Sequence, residues 1–274
     1  MGFAMDASDK AFTGSIPEIY DRFLVPLIFE SYAQDLARRL AQVAPEAVLE
    51  TAAGTGVVTR AMAAQLPANT RIVATDLNQP MLDRAKTQQP DPGRIAWQQA
   101  DALSLPFEEG SFDAVVCQFG VMFFPDKVQG YKEARRVLKP GGRFLFNAWD
   151  KISENEFVDT ATQALADIFP GDPPRFMERT PHGYHDPERI RDDLKAAGWS
   201  NISIEPVDAK SRAASALDAV TGYCQGSPLR TEIEARSPPS LQEATNHAAN
   251  AVAARFGSGA IEGRIRALVV TAIR

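Results

Sequence analysis

Three acidic side chains stand at the predicted ends of three successive strands. Glu50 follows an apolar run, Asp76 follows the run 72–75, and Asp101 closes a third run. Because the carboxyl ends of parallel strands meet at one edge of a sheet, we expect these carboxylates to lie close together. An acid after the second strand can accept hydrogen bonds from both hydroxyls of a ribose. The three acids together predict a site for a positively charged adenosyl compound.

A turn of small residues, Thr51 to Gly56, separates the first of these strands from a helix. A strand that enters a helix through such a turn is typical of nucleotide cofactor sites, since glycine lets the backbone approach a ligand closely. The dinucleotide pattern G-x-G-x-x-G is not met, because Thr59 stands where the third glycine would be. This departure counts against a pyrophosphate, and the nearby carboxylate favours a cationic ligand.

The elements that position these residues alternate along the chain. Short runs rich in branched residues predict strands near 46–53, 71–77, 95–102, 111–119, 142–149, 200–207 and 264–273. Helical patterns fall between them, at 56–65, 79–88, 127–138 and 187–197. The alternation predicts an α/β fold with a doubly wound, seven-stranded, mostly parallel sheet.

Three segments lie outside this alternation. Residues 1–45 form an N-terminal helical segment. The core spans 46–210 and contains an insert at 151–185. Residues 211–260 form a second helical insert, and residues 261–274 return to the core as its final strand. Both inserts leave the sheet at the edge where open parallel sheets bind ligands. We therefore expect a helical cap over the ligand crevice. The alternative is that the inserts only cover sheet edges.

Five ordered motifs carry a resemblance to a known family. They are Glu50–Gly56, Thr75–Leu77 followed by Met81, Ala100–Ala102 followed by 105–107, Ser111–Val116, and Arg136–Gly142. With these motifs the sequence resembles the class I S-adenosylmethionine-dependent methyltransferases, in particular their small-molecule, quinone-pathway-like branch (methyltransferase type 11). The resemblance implies a Rossmann-like methyltransferase fold with S-adenosylmethionine as cofactor and S-adenosylhomocysteine as product. It also implies in-line methyl transfer to a small molecule. Apolar residues predicted at the crevice favour an apolar or aromatic acceptor, with attachment of the cap as the alternative; they are 121–124, Phe169, Phe176 and Met177.

The resemblance further implies a set of cofactor-binding residues. They are Tyr20, Glu50, Ala52, Gly54, Thr55, Gly56, Asp76, Leu77, Met81, Asp101, Ala102, Gln118 and Phe119. Glu50 would orient the methionine end, Asp76 would hold the ribose, and Asp101 would face the adenine amino group. Plainer roles stay open: Tyr20 and Phe119 as packing residues, Asp101 as a turn residue, and Gln118 as a hydrogen-bonding residue at a strand end.

One position departs from the family pattern. Ala52 stands where the first glycine of the motif acid-x-Gly-x-Gly-x-Gly is expected. If this position needs a positive φ, alanine strains it by ~1 kcal/mol. We expect the geometry to be tolerated and the site to be intact.

Methyl transfer from a sulfonium needs mainly proximity, orientation and a dry site, so no catalytic constellation is required. A phenol, an alcohol or an acidic carbon acceptor does need a base. His182 and His185 lie in the first insert and are the candidate bases or acceptor contacts. For His185, which precedes the predicted helix cap Asp186, support of that turn is the alternative.

Composition limits the class of protein. The 274 residues carry a formal net charge of −6, which argues against a nucleic-acid partner. Two cysteines and three histidines lack metal-ligand spacing, so we expect no metal. No run is apolar enough for membrane insertion. We expect a cytoplasmic monomer or homodimer acting on a small molecule. The alternatives are a non-catalytic S-adenosylmethionine-binding regulatory or assembly protein and an NAD-dependent oxidoreductase.

Overall fold

The structure is a computed structural model that describes residues 14–89 and 93–274. Residues 1–13 of the predicted N-terminal segment therefore lie outside the described residues. No helix in the described ranges is both long enough and apolar enough to cross a membrane.

A seven-stranded sheet forms the centre of the protein. Its strands are β1 Ala47–Glu50, β2 Arg71–Asp76, β3 Ile95–Gln99, β4 Phe112–Gln118, β5 Leu138–Trp149, β6 Asn201–Ala213 and β7 Ile261–Ile273. Their order is β3-β2-β1-β4-β5-β7-β6, and β7 pairs antiparallel with both of its neighbours. The predicted doubly wound, mostly parallel α/β sheet is confirmed.

The N-terminal helical segment has three parts: α1 Ile16–Ile19, a π-helical stretch Tyr20–Phe29, and α2 Glu30–Ala41. Pro26 lies inside the π-helical stretch and has no amide hydrogen to donate. The amide of Glu30 bonds back to the carbonyl of Val25, which is the wider π spacing. This widened stretch lies over the ligand edge of the sheet and carries Tyr20.

The remaining helices complete the two layers around the sheet. They are α3 Val57–Gln65, α4 Gln79–Gln88, α5 Lys127–Val137, α6 Glu156–Ile168, α7 Phe176–Arg179, α8 Pro187–Ala196, α9 Ala216–Gln225, α10 Leu229–Ala235 and α11 Leu241–Phe256. Leu36 of α2 and Met62 of α3 are buried in one apolar cluster. Tyr131 of α5, Phe157 of α6 and Val252 of α11 are buried in the other. The predicted start of α8 is confirmed, since Asp186 caps it by accepting the amide of Glu188 at 3.0 Å.

Several strands differ from their predicted bounds. β1 and β3 each end three residues earlier than predicted, at Glu50 and Gln99, and β7 begins three residues earlier, at Ile261. β5 begins at Leu138 rather than 142, because Leu138 already pairs with Phe112 before an irregular register around the following glycines. β6 continues past 207 to Ala213, so residues 211–213 of the predicted insert belong to the sheet. The sequence pattern did not predict this extension, because the stretch contains charged residues where a strand pattern would alternate with apolar ones. Lys210 and Arg212 both form ion pairs with Glu262 on the neighbouring strand.

Glu232 is the least exposed of the carboxylates that link the two inserts. Glu232 of α10 accepts the amides of Arg175 and Phe176 at 2.8 and 3.2 Å and pairs with Arg179 Nη2 at 2.6 Å. The side chains of Glu232 and Arg179 are both only 15% exposed. Glu232 therefore ties the second insert to the start of α7 in the first.

We expect Glu232→Ala to lower the free energy of unfolding by about 1–3 kcal/mol, because it leaves partly buried donors without acceptors. Urea denaturation measures this loss. The matched control is Glu234→Ala in the same helix, whose ion pair with Arg230 is exposed and should matter by less than about 0.5 kcal/mol. Equal losses in the two variants would contradict the joining role of Glu232.

Candidate functional site

A cavity lies at the carboxyl ends of β1, β2 and β4, which is the edge predicted for ligand binding. It encloses about 1300 Å³, part of which is open to solvent. Acidic side chains, Asp76 and Asp101, line one part of this space, and aromatic side chains line another. The inserts contribute Phe176, His182, Tyr223 and Ser227 to its wall.

Ten of the thirteen residues predicted for the cofactor line this cavity. They are Tyr20, Ala52, Gly54, Asp76, Leu77, Met81, Asp101, Ala102, Gln118 and Phe119. Glu50, Thr55 and Gly56 do not line it. Of the two candidate bases, His182 lines the cavity and His185 does not.

Asp76 is the acid that organises the cavity edge. Its Oδ2 accepts the amide of Gly54 at 2.8 Å, and its Oδ1 accepts the amide of Asn78 at 2.8 Å. Burial raises the pKa of Asp76 above its ordinary value, and these backbone donors work against that rise. Oδ1 also accepts a long contact from Asn78 Nδ2 at 3.5 Å, whereas Oδ2 retains a second lone pair for a ligand donor. The carboxylate thus fixes the turns after β1 and β2 and still faces the cavity.

Glu50 has a different environment from the one expected. It is 1% exposed, and its Oε2 accepts the Thr59 hydroxyl at 2.5 Å. Burial raises the pKa of Glu50 to about 8, and the neighbouring Asp76 adds to the rise. Its hydrogen-bond partner in the structure is thus a residue of α3, and its predicted contact with the cofactor stays a prediction.

The turn after β1 has the positive φ that the sequence analysis considered for Ala52. Ala52 has a φ of 53°, so alanine does occupy a left-handed position at the first glycine of the motif. Space for its methyl group comes from Gly120, where an added Cβ would lie 2.5 Å from the Ala52 Cβ. A glycine after β4 therefore compensates for the alanine after β1.

The other two glycines of the motif differ in what they make room for. A Cβ on Gly54 would lie 3.6 Å from Met81 Cε and 3.8 Å from the Tyr20 hydroxyl, both on the cavity wall. A Cβ on Gly56 would instead meet the Trp97 ring at 2.9 Å. Gly54 therefore serves the cavity, whereas Gly56 serves the packing of α3 on β3.

Aromatic rings separate the acidic end of the cavity from the inserts. Phe119 stacks on Trp149 with ring centroids 3.8 Å apart and planes 5° apart. Tyr20 stacks on Phe29 at 5.1 Å, and Phe29 contacts Phe119 at 5.6 Å. Phe119 also has a φ of 50°, a strained backbone that the stacked ring holds in place.

Gln118, beside Phe119, supplies an unpaired acceptor. Its Nε2 donates to the Phe29 carbonyl at 3.3 Å, while its buried Oε1 has no partner among the described residues. Asp76, Asp101 and Gln118 thus present acceptor oxygens at the cofactor end. The donors of S-adenosylmethionine are ribose hydroxyls, an adenine amino group and an ammonium, so its chemistry fits this set.

The two histidines take separate places in one loop. His182 Nδ1 lies 2.8 Å from the Asp150 carbonyl oxygen, and burial lowers the pKa of His182 to about 4. His185 is exposed, and its Nδ1 lies 2.7 Å from the carbonyl oxygen of His182. His185 therefore supports the loop, and its predicted contact with an acceptor finds no place in the cavity.

Several lining residues escaped the sequence analysis. They include Leu24, Ile28, Phe29, Trp149, Asn155, Val158, Tyr223, Ser227 and Ile265. Trp149 ends β5 at the ligand edge, so its position could have been noticed. The residues from helices and inserts carry no such signal, because an apolar side chain that faces a cavity looks the same in sequence as one that faces the core. Within the described ranges, no group of three or more metal-ligating side chains occurs.

Comparisons with known proteins match the stretch of chain that contains most of the cofactor motifs. Residues 49–146 match the family described as "Methyltransferase domain". The demethylmenaquinone methyltransferase of Clavibacter sepedonicus is 29% identical over 174 residues, 60% of this chain and 70% of that protein. The ubiquinone/menaquinone biosynthesis C-methyltransferase UbiE of Geobacter sp. strain M21 is 33% identical over 142 residues, 50% of this chain and 60% of that protein.

A solved structure shares the fold. The YcgJ protein of Bacillus subtilis superposes with a TM-score of 0.57 at 18% identity, over 89% of this chain and 98% of that one. The fold and the cofactor motifs resemble those of the class I S-adenosylmethionine-dependent methyltransferases, and the family match covers residues 49–146. These motifs fit S-adenosylmethionine as the cofactor.

We expect Gly120→Ala to lower the free energy of unfolding by about 1–3 kcal/mol, because the new Cβ collides with Ala52 and with Cys117 Sγ. Ala52→Gly alone should be nearly neutral, since relief of ~1 kcal/mol of backbone strain offsets the added freedom of the unfolded chain. The double variant should recover part of the loss in urea denaturation. Strictly additive effects of the two substitutions would show that the methyl groups do not meet.

We expect the ligand-free protein to lose stability as pH rises from about 4.5 to 8, because folded Glu50 keeps a proton that the unfolded chain has released. Glu50→Gln should remove up to about 1.4 kcal/mol per pH unit of this slope. Denaturation at pH 5, 6.5 and 8 measures it. Glu108→Gln, at an exposed position, is the control and should keep the wild-type slope. An unchanged slope in Glu50→Gln would mean that Glu50 is ionised when buried.

Proposed function

We propose that the protein transfers the methyl group of S-adenosylmethionine to a small, uncharged, largely apolar acceptor. The observation that carries the proposal is the chemical division of one continuous cavity. Asp76 and Asp101 lie at one end, and aromatic and aliphatic side chains lie towards the inserts. A polar nucleoside and an apolar acceptor would each find a matching part of this wall.

At the cofactor end, Asp76 would accept the ribose hydroxyls while it holds the turns after β1 and β2. Asp101 would accept from the adenine amino group. Its Oδ1 already receives the amide of Leu103 at 2.9 Å, which fixes the carboxylate beside the cavity. Leu77 is 46% exposed and offers an apolar face to the adenine ring.

The aromatic rings between the two ends suit the reacting centre. The faces of Tyr20, Phe29 and Phe119 carry partial negative charge and favour a cation such as a sulfonium. The donor is activated already, so these residues would contribute orientation and exclusion of water to an in-line displacement.

The acceptor end determines the charge of the substrate. Phe123, Phe124, Met177, Val158 and Ile265 line it. Among the described lining residues, the carboxylates are Asp76 and Asp101, and no lysine or arginine occurs. A charged acceptor would be buried here without a counter-charge, which is costly. This wall therefore supports a neutral acceptor and disfavours nucleotides and amino acids.

The names of the relatives support the same class. Their printed names place two of them in demethylmenaquinone and ubiquinone/menaquinone methylation. The matched stretches cover 70% and 60% of those proteins. An apolar, ring-bearing acceptor would fit both these names and the present cavity. The cytoplasmic location and the monomeric or homodimeric state stay predictions.

Calorimetric titration with S-adenosylhomocysteine, with NAD as the control, is the experiment that tests the proposal. We expect micromolar binding of the first and none of the second. Transfer of radioactive methyl from S-adenosylmethionine to a panel of neutral aromatic compounds then tests turnover. Cofactor binding without transfer to any panel member would favour a regulatory or assembly protein, and NAD binding alone would favour an oxidoreductase.

We expect Asp76→Ala to weaken S-adenosylhomocysteine binding at least ~10-fold, because ribose hydroxyls lose their acceptor in a buried site. The same change also frees the amides of Gly54 and Asn78, so affinity alone does not isolate the ribose contact. Competition by adenosine and 2′,3′-dideoxyadenosine does isolate it. The wild type should prefer adenosine, and Asp76→Ala should lose this preference. Asp83→Ala, at an exposed position in α4, is the control. An unchanged preference in Asp76→Ala would place the ribose elsewhere.

A further inference from the structure

Resting on the proposed function, we propose that His182 is the catalytic base and that the acceptor is a neutral phenol or enol whose hydroxyl donates to His182 Nε2. The proposal depends on the fixed orientation of one imidazole ring at the apolar end of the cavity. It names both a proton-accepting atom and the substrate group that this atom recognises.

The loop around His182 is anchored to the sheet. The His182 amide donates to the Met177 carbonyl at 2.9 Å, and Nδ1 lies 2.8 Å from the Asp150 carbonyl oxygen. Asp150 follows the last residue of β5, and its own amide bonds to Arg266 of β7 at 3.2 Å. The ring is thus held from the sheet edge, on the side of Trp149, whose ring centroid is 5.9 Å away.

The Asp150 contact determines the tautomer. A carbonyl oxygen accepts only, so Nδ1 must carry the hydrogen. Burial keeps the ring neutral by lowering the pKa of His182 to about 4, and the neighbouring His185 contributes to the lowering. Nε2 therefore has a lone pair available, and the ring's hydrogen bond within the described residues is the one made by Nδ1. His182 is 6% exposed and lines the cavity, so this lone pair needs a donor from within the cavity.

The rest of the wall restricts which donor this is. Asn155 also lines this part, but its Oδ1 already accepts the Arg266 amide at 3.1 Å and its Nδ2 donates to the Lys151 carbonyl at 3.2 Å. The Tyr223 hydroxyl, whose pKa burial raises, is engaged in a hydrogen bond with the Ser211 side chain. An ammonium donor would bring a charge that no carboxylate at this end neutralises. A neutral hydroxyl is the donor that fits.

The acidity of the hydroxyl follows from the weakness of the base. With a pKa of about 4, His182 is a weak base, so it takes the proton of a phenol, whose pKa is about 10, only as the bond to the methyl carbon forms. An aliphatic alcohol is far less acidic, so the same transfer from it is much less favourable. Phenols and enols also place an apolar framework beside Phe123, Phe176 and Met177. The acceptor class is therefore a hydroxylated ring or enol rather than a simple alcohol.

The proposed reaction transfers one methyl group to the acceptor and releases one proton. The hydroxyl proton moves to His182 Nε2, and the phenolate oxygen or the ring carbon beside it forms a bond to the methyl carbon. The bond from that carbon to the sulfonium sulfur breaks, and its electron pair stays on sulfur to give neutral S-adenosylhomocysteine. When carbon is methylated, the ring proton returns to the oxygen. In both cases one proton leaves through His182 to solvent.

The test uses 1-naphthol as the probe and 1-methoxynaphthalene, which lacks the hydroxyl proton, as its matched partner. Both are titrated into the full chain saturated with S-adenosylhomocysteine. The three histidines of the chain make imidazole ¹⁵N spectra simple to assign. We expect His182 to show the Nδ1–H tautomer, and its Nε2 signal should shift with 1-naphthol and not with the ether.

The variant His182→Asn removes Nε2 and can keep a donor to Asp150 through its amide. It should transfer methyl to 1-naphthol about 10²–10⁴-fold more slowly, with S-adenosylhomocysteine affinity within about threefold of wild type. Its rate should recover as pH rises towards the pKa of the phenol, where no base is needed. His185→Asn, in the same loop but outside the cavity, should behave as wild type.

Three results would overturn the proposal: an unchanged transfer rate in His182→Asn, equal binding of 1-naphthol and its ether, or transfer to charged acceptors with none to phenols. If the wild type does not bind S-adenosylhomocysteine, the proposed function itself is wrong, which is a separate outcome. If His182→Asn does not fold, the ¹⁵N titration of the wild type decides alone.

Discussion

Burial of a carboxylate at the carboxyl end of β2 is the constraint on which the site depends. Asp76 accepts amides from the turns after β1 and β2 at 2.8 Å each. A buried carboxylate without donors would be costly, so both turns must bend towards it. This requirement determines where Gly54 lies and how α4 begins. The scaffold and the ligand site are therefore one structure, and Asp76 belongs to both.

The strain in this region is concentrated where the backbone meets the cavity. Ala52 and Phe119 both have positive φ values, at 53° and 50°, and both line the wall. Each is held by a specific neighbour: Gly120 makes room for the Ala52 methyl, and Trp149 stacks on the Phe119 ring. The two strained residues lie on the turns after β1 and β4. Rigid packing behind a strained turn keeps its ligand-facing atoms fixed without help from the ligand.

The cofactor half of the cavity could be predicted from sequence because its residue types follow from backbone geometry. Strand ends place acids at 50, 76 and 101, and a positive φ restricts the turn to small residues. Prediction was less accurate where one residue type serves two purposes. Gly56 matches the motif but makes room for Trp97, and Glu50 matches it but bonds to Thr59. Neither distinction can be made without knowing the partner residue, which lies in α3 for Glu50 and in β3 for Gly56.

The acceptor half of the cavity could not be predicted in the same way, because its residue types do not follow from backbone geometry. Its wall comes from the π-helical stretch, from the turn after β4, from Ile265 of β7 and from two inserts that Glu232 links. Apolar residues in these segments satisfy the core and the cavity alike, so their sequence can change without disturbing Asp76 or the turns it holds. His182 is the exception. Buried polar groups are normally hydrogen-bonded, so once Nδ1 of its imidazole is bonded to Asp150, Nε2 also calls for a donor. Among the residues that the inserts contribute to the cavity wall, His182 therefore gives the most information about the acceptor.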